Sequence, residues 1–398
     1  MNNTSHYESA VSIFTAITSR KKAEKNKAPH CVNPECPNFN HSDDSDTSWR
    51  TDHGSYETKA FGTVPRYRCR LCGKTFSDQS FSMDYYVKLP FDYAVLMQGL
   101  MSTTGQGNIT RFSNVRYELI QNRYERLARV FLALHARLRS LAVRTEDFAL
   151  DGFESFSVSQ YFPNNVNLIA GSDTEYIYGM GFAQLRRKGA MTNEQKLIRS
   201  GLEAMYGKAP PKAVELSVAS LLCDLGKYMH EKEIGRRKLF TDEHKAYVRA
   251  LGRIIDADQY FVHRQVSSKL ARSINNPLFP VNYVDRQFRK DMANHVRETV
   301  QFARCPTAMM LRLTIYQMYH NYLMPRRVRQ QRKGNWQTRG ELMGITRTQF
   351  LDCLQECWGK RVFYHKCELW EEEKSTWLMK WRNSRIPMGR RVPDYIAA

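Results

Sequence analysis

The sequence predicts a mixed α/β protein, and three observations carry that prediction. Apolar segments that alternate with period two give way, through the middle of the chain, to apolar segments of helical period. Two of the strand-like segments lead into an aspartate, Asp151 and Asp242. Upstream, four cysteines in two close pairs precede three helical stretches. At 398 residues the chain exceeds the size at which one core keeps growing, so two to four domains are expected.

Composition narrows the function classes. Sixty Lys and Arg against 40 Asp and Glu leave a formal charge of +20, a balance that points to a polyanion partner. No uninterrupted apolar run approaches the ~18 residues of a membrane span. The first residues lack the charged start, apolar core and cleavage site of a signal peptide, so a cytoplasmic protein is expected.

Residues 1–28 read as a short helix and a basic linker without chemistry. In residues 29–85, Cys31 and Cys36 form one pair and Cys69 and Cys72 the other, in YRCRLCGKTF. Thiolates two to four residues apart at tight turns share one tetrahedral zinc, and Gly73 suits the turn that aims both sulfurs inward. Residues 38–62 are then an excursion between the knuckles, where His41 and His53 are spare candidate ligands. The alternative is four unrelated reduced cysteines.

In residues 86–142 two short helices flank a glycine-containing break at residues 103–107, and a longer Arg-rich helix follows. That order fits a helix-turn-helix with Arg111, Arg116, Gln121, Asn122 and Arg123 facing DNA; the plain alternative is a three-helix bundle.

Residues 143–325 carry the α/β pattern. The run TEDFALDGFESFSV, residues 145–158, brings Asp151 onto a strand, where a carboxylate needs pairing, hydrogen bonds or a metal. Residues 166–185 read as two strands joined at Gly171, Ser172 and Asp173. Two helices follow, split by Pro210 and Pro211, then a strand at residues 239–242 ending in Asp242, a helix, and a strand at residues 260–266. Three strands followed by helix, strand, helix, strand and helix is the order of the RNase H-like fold, a mixed five-stranded sheet with flanking helices whose first and fourth strands are neighbours. Asp151 and Asp242 are thereby expected to meet. A helix over residues 283–301 offers Asp285, Asp291 and Glu298 as a third carboxylate; the latter two lie ~120° and ~140° around the helix from the first, so at most one serves.

These residues resemble bacterial insertion-sequence transposases of the DDE type, in which a zinc ribbon and a helix-turn-helix precede an RNase H-like catalytic domain. YRCRLCGKTF resembles the ribbon's second knuckle, LDGFESF the strand of the first Asp, and FTDEHKAY the strand and helix of the second. VDRQFR is similar to the third segment, usually Ile-Glu-Arg, with RETVQFAR resembling a basic stretch beyond it. The resemblance spans about residues 31–325 and selects Asp285, where the family carries the longer Glu. That difference leaves an active variant or a degraded copy.

The resemblance implies an enzyme that binds the ends of an insertion sequence and performs Mg-dependent phosphodiester hydrolysis and transesterification. Asp151, Asp242 and Asp285 would hold two Mg ions about 4 Å apart. It implies double-stranded DNA as transposon end and target, a homo-oligomer, association with the nucleoid, and no membrane. Arg286 and Arg289 are placed for phosphate contacts. The competing readings are a zinc-containing DNA-binding regulator whose RNase H-like domain is inactive, and a nuclease without end specificity. His244, His263 and the run His320, Asn321, Tyr322 read as structural. Residues 326–398 form a basic, mainly helical tail with dense runs at residues 326–333 and 382–391. Its Cys353, Cys357, His365 and Cys367 read as packing groups, with a second zinc site as the alternative.

Overall fold

A computed structural model of the protein describes residues 28–381 apart from positions 44, 90, 297–298, 328 and 331–333. The expected N-terminal helix, the basic run at 382–391, part of the run at 326–333, and Glu298 lie outside the described residues.

Strands β1 (Arg50–Thr58), β2 (Gly62–Cys69) and β3 (Thr75–Ser77) form an antiparallel sheet in that order. The segment expected as a loop excursion between the cysteine pairs therefore contains a strand, β1, that completes the sheet. Aromatic residues rather than a large core hold this unit together. Trp49 stacks on Phe76 at 5.6 Å, and Phe39 and Phe81 close the cluster against Phe363 from far along the chain.

Three helices follow: α1 (Tyr93–Leu100), α2 (Gln106–Ser113) and α3 (Tyr117–Leu141). Asp92 starts α1 by accepting the Ala94 amide, and α2 stops at Asn114, whose φ of 50° is the left-handed cap that asparagine tolerates. The 25-residue α3 is central to the molecule. Its apolar stripe Ile120, Tyr124, Leu127, Phe131, Leu134 and Leu138 repeats at helical spacing and is wholly buried.

The second sheet contains β4 (Phe148–Phe156), β5 (Pro163–Gly171), β6 (Ile177–Gln184), β7 (Arg237–Thr241) and β8 (Phe261–Gln265), in the spatial order β6-β5-β4-β7-β8. The first three strands are antiparallel neighbours, whereas β7 runs parallel to β4 and β8 parallel to β7. Between β6 and β7 stand α4 (Asn193–Tyr206) and α5 (Ala213–Glu231), and between β7 and β8 α6 (Lys245–Leu251) and the single turn α7 (Ala257–Tyr260). After β8 come α8 (Phe279–Asp291), α9 (Pro306–Met318), a π-helical turn at Tyr319–Leu323, α10 (Arg339–Leu342), α11 (Arg347–Gly359) and α12 (Glu371–Trp377).

The sheet divides two cores by the alternation of β4. Phe148 and Leu150 face a large core shared with α3, α5 and α11, while Ala149 and Phe153 face one shared with α8 and α9. The expected divisions at 142/143 and 325/326 do not separate cores. Leu127 and Phe131 of α3, Leu150 of β4, and Phe350 and Leu354 of α11 lie in one continuous cluster. The buried ion pair of Arg139 with Glu373, 2.6 Å and 3.1 Å, ties α3 to α12 across the same divisions. The tail also covers the free edge of the sheet, where Glu372 accepts the Phe182 amide at 3.3 Å.

The helix expected over residues 283–301 begins earlier and ends earlier. Pro280 occupies the first turn of α8, where its missing N–H costs nothing. After Asp291 the chain turns extended at Met292 (φ −115°, ψ 116°), which buries Met292 and His295 and lets Ser155 and His295 hydrogen-bond at 3.0 Å.

Candidate metal centre and carboxylate site

Four thiols converge at the base of the first sheet. Cys31 Sγ lies 3.5 Å from Cys72 Sγ and Cys36 Sγ 3.8 Å from Cys69 Sγ, and all four fall within 4.8 Å of one another. A tetrahedron with ~2.3 Å metal–sulfur bonds needs sulfurs about 3.8 Å apart, so the set fits zinc. Local backbone geometry explains the convergence. The Cys69 amide bonds the Lys74 carbonyl, the Gly73 amide bonds the Cys69 carbonyl, and Gly73 takes the positive φ of 71° that closes the knuckle. The Asn33 amide and the Asn38 carboxamide, each at 3.4 Å, point at Cys31 and Cys69 sulfurs, as donors around a metal thiolate do. Burial opposes ionisation of Cys69, but the Cys72 amide and Asn38 outweigh it and hold the thiol down at about 6. His41 and His53 are not in the group. Among the described residues this is the only cluster of three or more metal-capable side chains so closely spaced, and Cys353, Cys357, His365 and Cys367 form none.

The carboxylates sit at the end of the second sheet. Phe148 pairs with Leu239 and Ala149 with Phe240, a register that brings Asp242, just past β7, level with Asp151 on β4. Asp151 has the parity of Ala149 and Phe153, the side of the sheet that α8 covers, and Asp285 is on α8. Asp151 Oδ1 accepts the Gly152 amide at 2.7 Å and the Tyr247 hydroxyl at 3.2 Å. Gly152 leaves room for the Asn165 carboxamide, which a Cβ at this position would displace. Asp242 Oδ1 accepts the His244 amide at 2.8 Å, which fixes the carboxylate at the start of α6.

Charge links the three. Burial raises the Asp151 carboxyl, and the charge of Asp242 raises it further. Burial and then the charge of Asp151 push Asp285 up to about 8, against the opposing pull of Arg289 and Arg272. Tyr247 is kept protonated by burial and by the charges of Asp151, Asp242 and Asp285 together. Among the described residues no Lys or Arg forms an ion pair with any of the three, and the more distant Arg272 and Arg289 offset their repulsion only in part. Their oxygens are spread more widely than the four thiols. Asp291 faces elsewhere, accepting the Tyr316 hydroxyl at 2.7 Å and pairing with Lys290 at 3.2 Å.

The residues expected to face DNA divide. Arg111 and Arg116 are exposed at α2 and the start of α3, and Arg286 is exposed on α8. Arg123 is a correction: it is buried, its guanidinium held by the Leu89 carbonyl and by Asn122, because the second turn of α3 already lies inside the protein. Asn122 serves as acceptor for Arg123 and Arg126, and Gln121 donates to Glu125 at 2.9 Å. Arg289 lies over the Phe153 ring at 4.7 Å and donates to the Glu154 carbonyl at 3.3 Å, which leaves it half-buried.

His244 caps α6 by accepting the Ala246 amide, and His263 shares a 2.8 Å hydrogen bond with Thr241. His320 and Asn321 are fully buried; His320 bonds the Glu175 carbonyl and Asn321 both accepts from and donates to the Ile177 backbone. Two members of the carboxylate neighbourhood had no assigned role in the sequence. Tyr247 lies within FTDEHKAY, whose aromatic was visible as a type but not as a partner for Asp151. Arg272 sits in the turn-rich segment after β8, where nothing in the local pattern marks it. No helix among the described residues is long and apolar enough to cross a membrane. In comparisons with known proteins, the chain matches no family model, no curated protein and no solved structure.

Proposed function

We propose that the protein is a metal-dependent DNA strand-cleaving and strand-transfer enzyme, a transposase of the DDE type built on an RNase H-like sheet, with Asp151, Asp242 and Asp285 as its acidic trio. The observation that carries the reading is the delivery of three carboxylates to one neighbourhood by β4, by the end of β7 and by α8, where Tyr247 bonds Asp151 and the charge of Asp151 reaches Asp285. The strand order β6-β5-β4-β7-β8, with three antiparallel strands followed by two parallel ones, supports it.

The three aspartates are the residues that would hold Mg, since hard cations take oxygen ligands and these half-buried carboxylates form no ion pair with a Lys or Arg among the described residues. Such a cation, when bound, supplies activation of a water or 3′-hydroxyl and stabilisation of the leaving oxygen. Tyr247 orients Asp151 through its hydroxyl, and the Gly152 amide holds the same oxygen. The exposed Arg111, Arg116 and Arg286, on a chain of net charge +20, provide contacts for the DNA backbone. In this reading the ribbon and the α1–α3 helices, the latter as a helix-turn-helix, add to end binding.

The test is nicking of an element-end duplex with Mg or Mn. Loss of nicking in Asp151→Asn, Asp242→Asn and Asp285→Asn proteins that still bind DNA is the expected result; unchanged nicking in the three variants overturns the trio. A zinc-containing DNA-binding regulator is the second reading, favoured by the wide spacing of the carboxylates beside the closed thiol cluster. It predicts DNA binding without cleavage by the unsubstituted protein.

A further inference from the structure

Helix α4 leaves much of its apolar surface facing outward. Its residues toward the body are Gln195, Arg199, Leu202, Glu203 and Tyr206, all half-buried. Polar contacts hold much of this face, since Arg186 donates to both Glu203 oxygens at 2.6 Å and 2.8 Å and Arg199 donates to the Arg187 carbonyl at 3.1 Å, while the Tyr206 ring meets Phe162 edge-on at 6.4 Å. The opposite face carries Leu197 at 74% exposure, Met205 at 70% and Ile198 at 42%. No residue of this 14-residue helix is fully buried. A surface helix ordinarily turns its apolar stripe inward, so this stripe lacks the partner its composition calls for.

The exposed face also has a symmetry. At ~100° per residue, Gly201 lies at its centre, Leu197 and Met205 each stand ~40° to either side, and Ile198 and Ala204 each ~60°. Those pairs are equidistant from Gly201 along the chain as well. An antiparallel second copy, related by a two-fold axis through Gly201, therefore sets Leu197 against Met205 and Ile198 against Ala204. It also brings the first turn of one helix, which carries Glu194, to the end of the other, where Lys208 follows the Gly207 cap, twice over. A Cβ at Gly201 would meet nothing within 4 Å in the single chain, so the glycine leaves open room at the crossing where two backbones approach most closely.

We propose that α4 is a self-association surface and that its occupant is α4 of a second copy of this chain, packed antiparallel about Gly201. The self-complementary charges select this occupant: an isologous interface must match residue with residue across its axis, and Glu194 with Lys208 does so. A helix of this length spans ~21 Å, so the contact is at the small end of specific interfaces and forms a weak, concentration-dependent dimer. The proposal is independent of the carboxylate chemistry.

Sedimentation equilibrium of the whole chain over roughly a hundredfold range of concentration reads the association constant. The unsubstituted protein is expected to shift from monomer to dimer. Leu197→Asp with Met205→Asp is expected to remain monomeric with an unchanged circular dichroism spectrum, since both residues are exposed. Glu194→Lys weakens association several-fold, and adding Lys208→Glu restores it. Register is read by mild oxidation, with the unsubstituted protein as control for the native cysteines. Gly201→Cys faces itself and crosslinks in a single preparation. Leu197→Cys crosslinks only when mixed with Met205→Cys. A monomer at every concentration, a dimer indifferent to the double aspartate variant, or Gly201→Cys crosslinking no better than the control each overturns the proposal.

Discussion

Tyr247 donates a hydrogen bond to Asp151 across 96 positions of the chain, at 3.2 Å, and the same phenol lies in the field of Asp242 and Asp285. A strand, a helix start and a second helix thus border one neighbourhood. The phenol donates to Asp151, and its bond favours the charged form of that carboxyl. Tyr247→Phe is expected to keep the fold, raise the Asp151 carboxyl further and weaken Mn binding several-fold, equivalent to about 1 kcal/mol for one lost hydrogen bond. Titration calorimetry at neutral pH and at a pH one or two units higher checks it, because the deficit shrinks as the carboxyl ionises.

Metal analysis of the purified chain is expected to find about one zinc per molecule, falling toward zero in Cys31→Ser or Cys69→Ser. Chelation should expose residues 28–81 to protease first. That unit has only a small aromatic cluster of its own, while its docking on Phe363 and the bond from the Arg361 amide to the Phe81 carbonyl leave the body intact. Equal protease resistance with and without chelator would refute a structural metal.

Arg139 and Glu373 are both almost fully buried and joined by two hydrogen bonds, and Glu373 also accepts the Trp370 amide at 2.8 Å. Removing either partner strands a charge inside the core, so Arg139→Ala and Glu373→Ala should each cost about 3–5 kcal/mol in denaturant unfolding. The double variant Arg139→Met with Glu373→Leu should cost less than either single change. A double variant worse than the sum of the singles would show that the pair itself, rather than its breakage, carries the stability.

Glu372 introduces a pH dependence. Burial pushes its carboxyl up to about 8, against the Phe182 amide that favours the charged form. The sign follows from the two states. The unfolded chain releases this proton near pH 4.5 and the folded chain near 8, so the side chain's contribution is fully present below the lower value and is lost as pH rises through that window. The loss approaches on the order of 1.4 kcal/mol per pH unit. Glu372→Gln, which can still accept from Phe182, should flatten that slope in melting curves between pH 5 and pH 8. An unchanged slope would place the titration elsewhere.

Much of this was legible in the chain itself, for physical reasons that are local. Cys31, Cys36, Cys69 and Cys72 announce a metal knuckle because tight turns bring near neighbours together. Phe148, Leu150 and Leu239 announce strands, and strand order then brings Asp151 and Asp242 level. The limits appear where the decision is made at long range. Arg123 reads as a surface cation until α3 is seen to run through the core. The helix beyond Asp285 reads as continuous until burial of Met292 and His295 ends it at Asp291. Arg139 and Glu373 are separated by 234 positions, and nothing in either neighbourhood foretells their pairing. The sequence by itself therefore determined most of the helices and strands, the cysteine knuckles and the residue types they present, but not strand β1, which reads as a loop. Tertiary structure alone decided which charges are buried, which of them meet, and that the helical segments share one core with the sheet, since burial and charge coupling depend on distances between chain-remote residues, which no local pattern encodes.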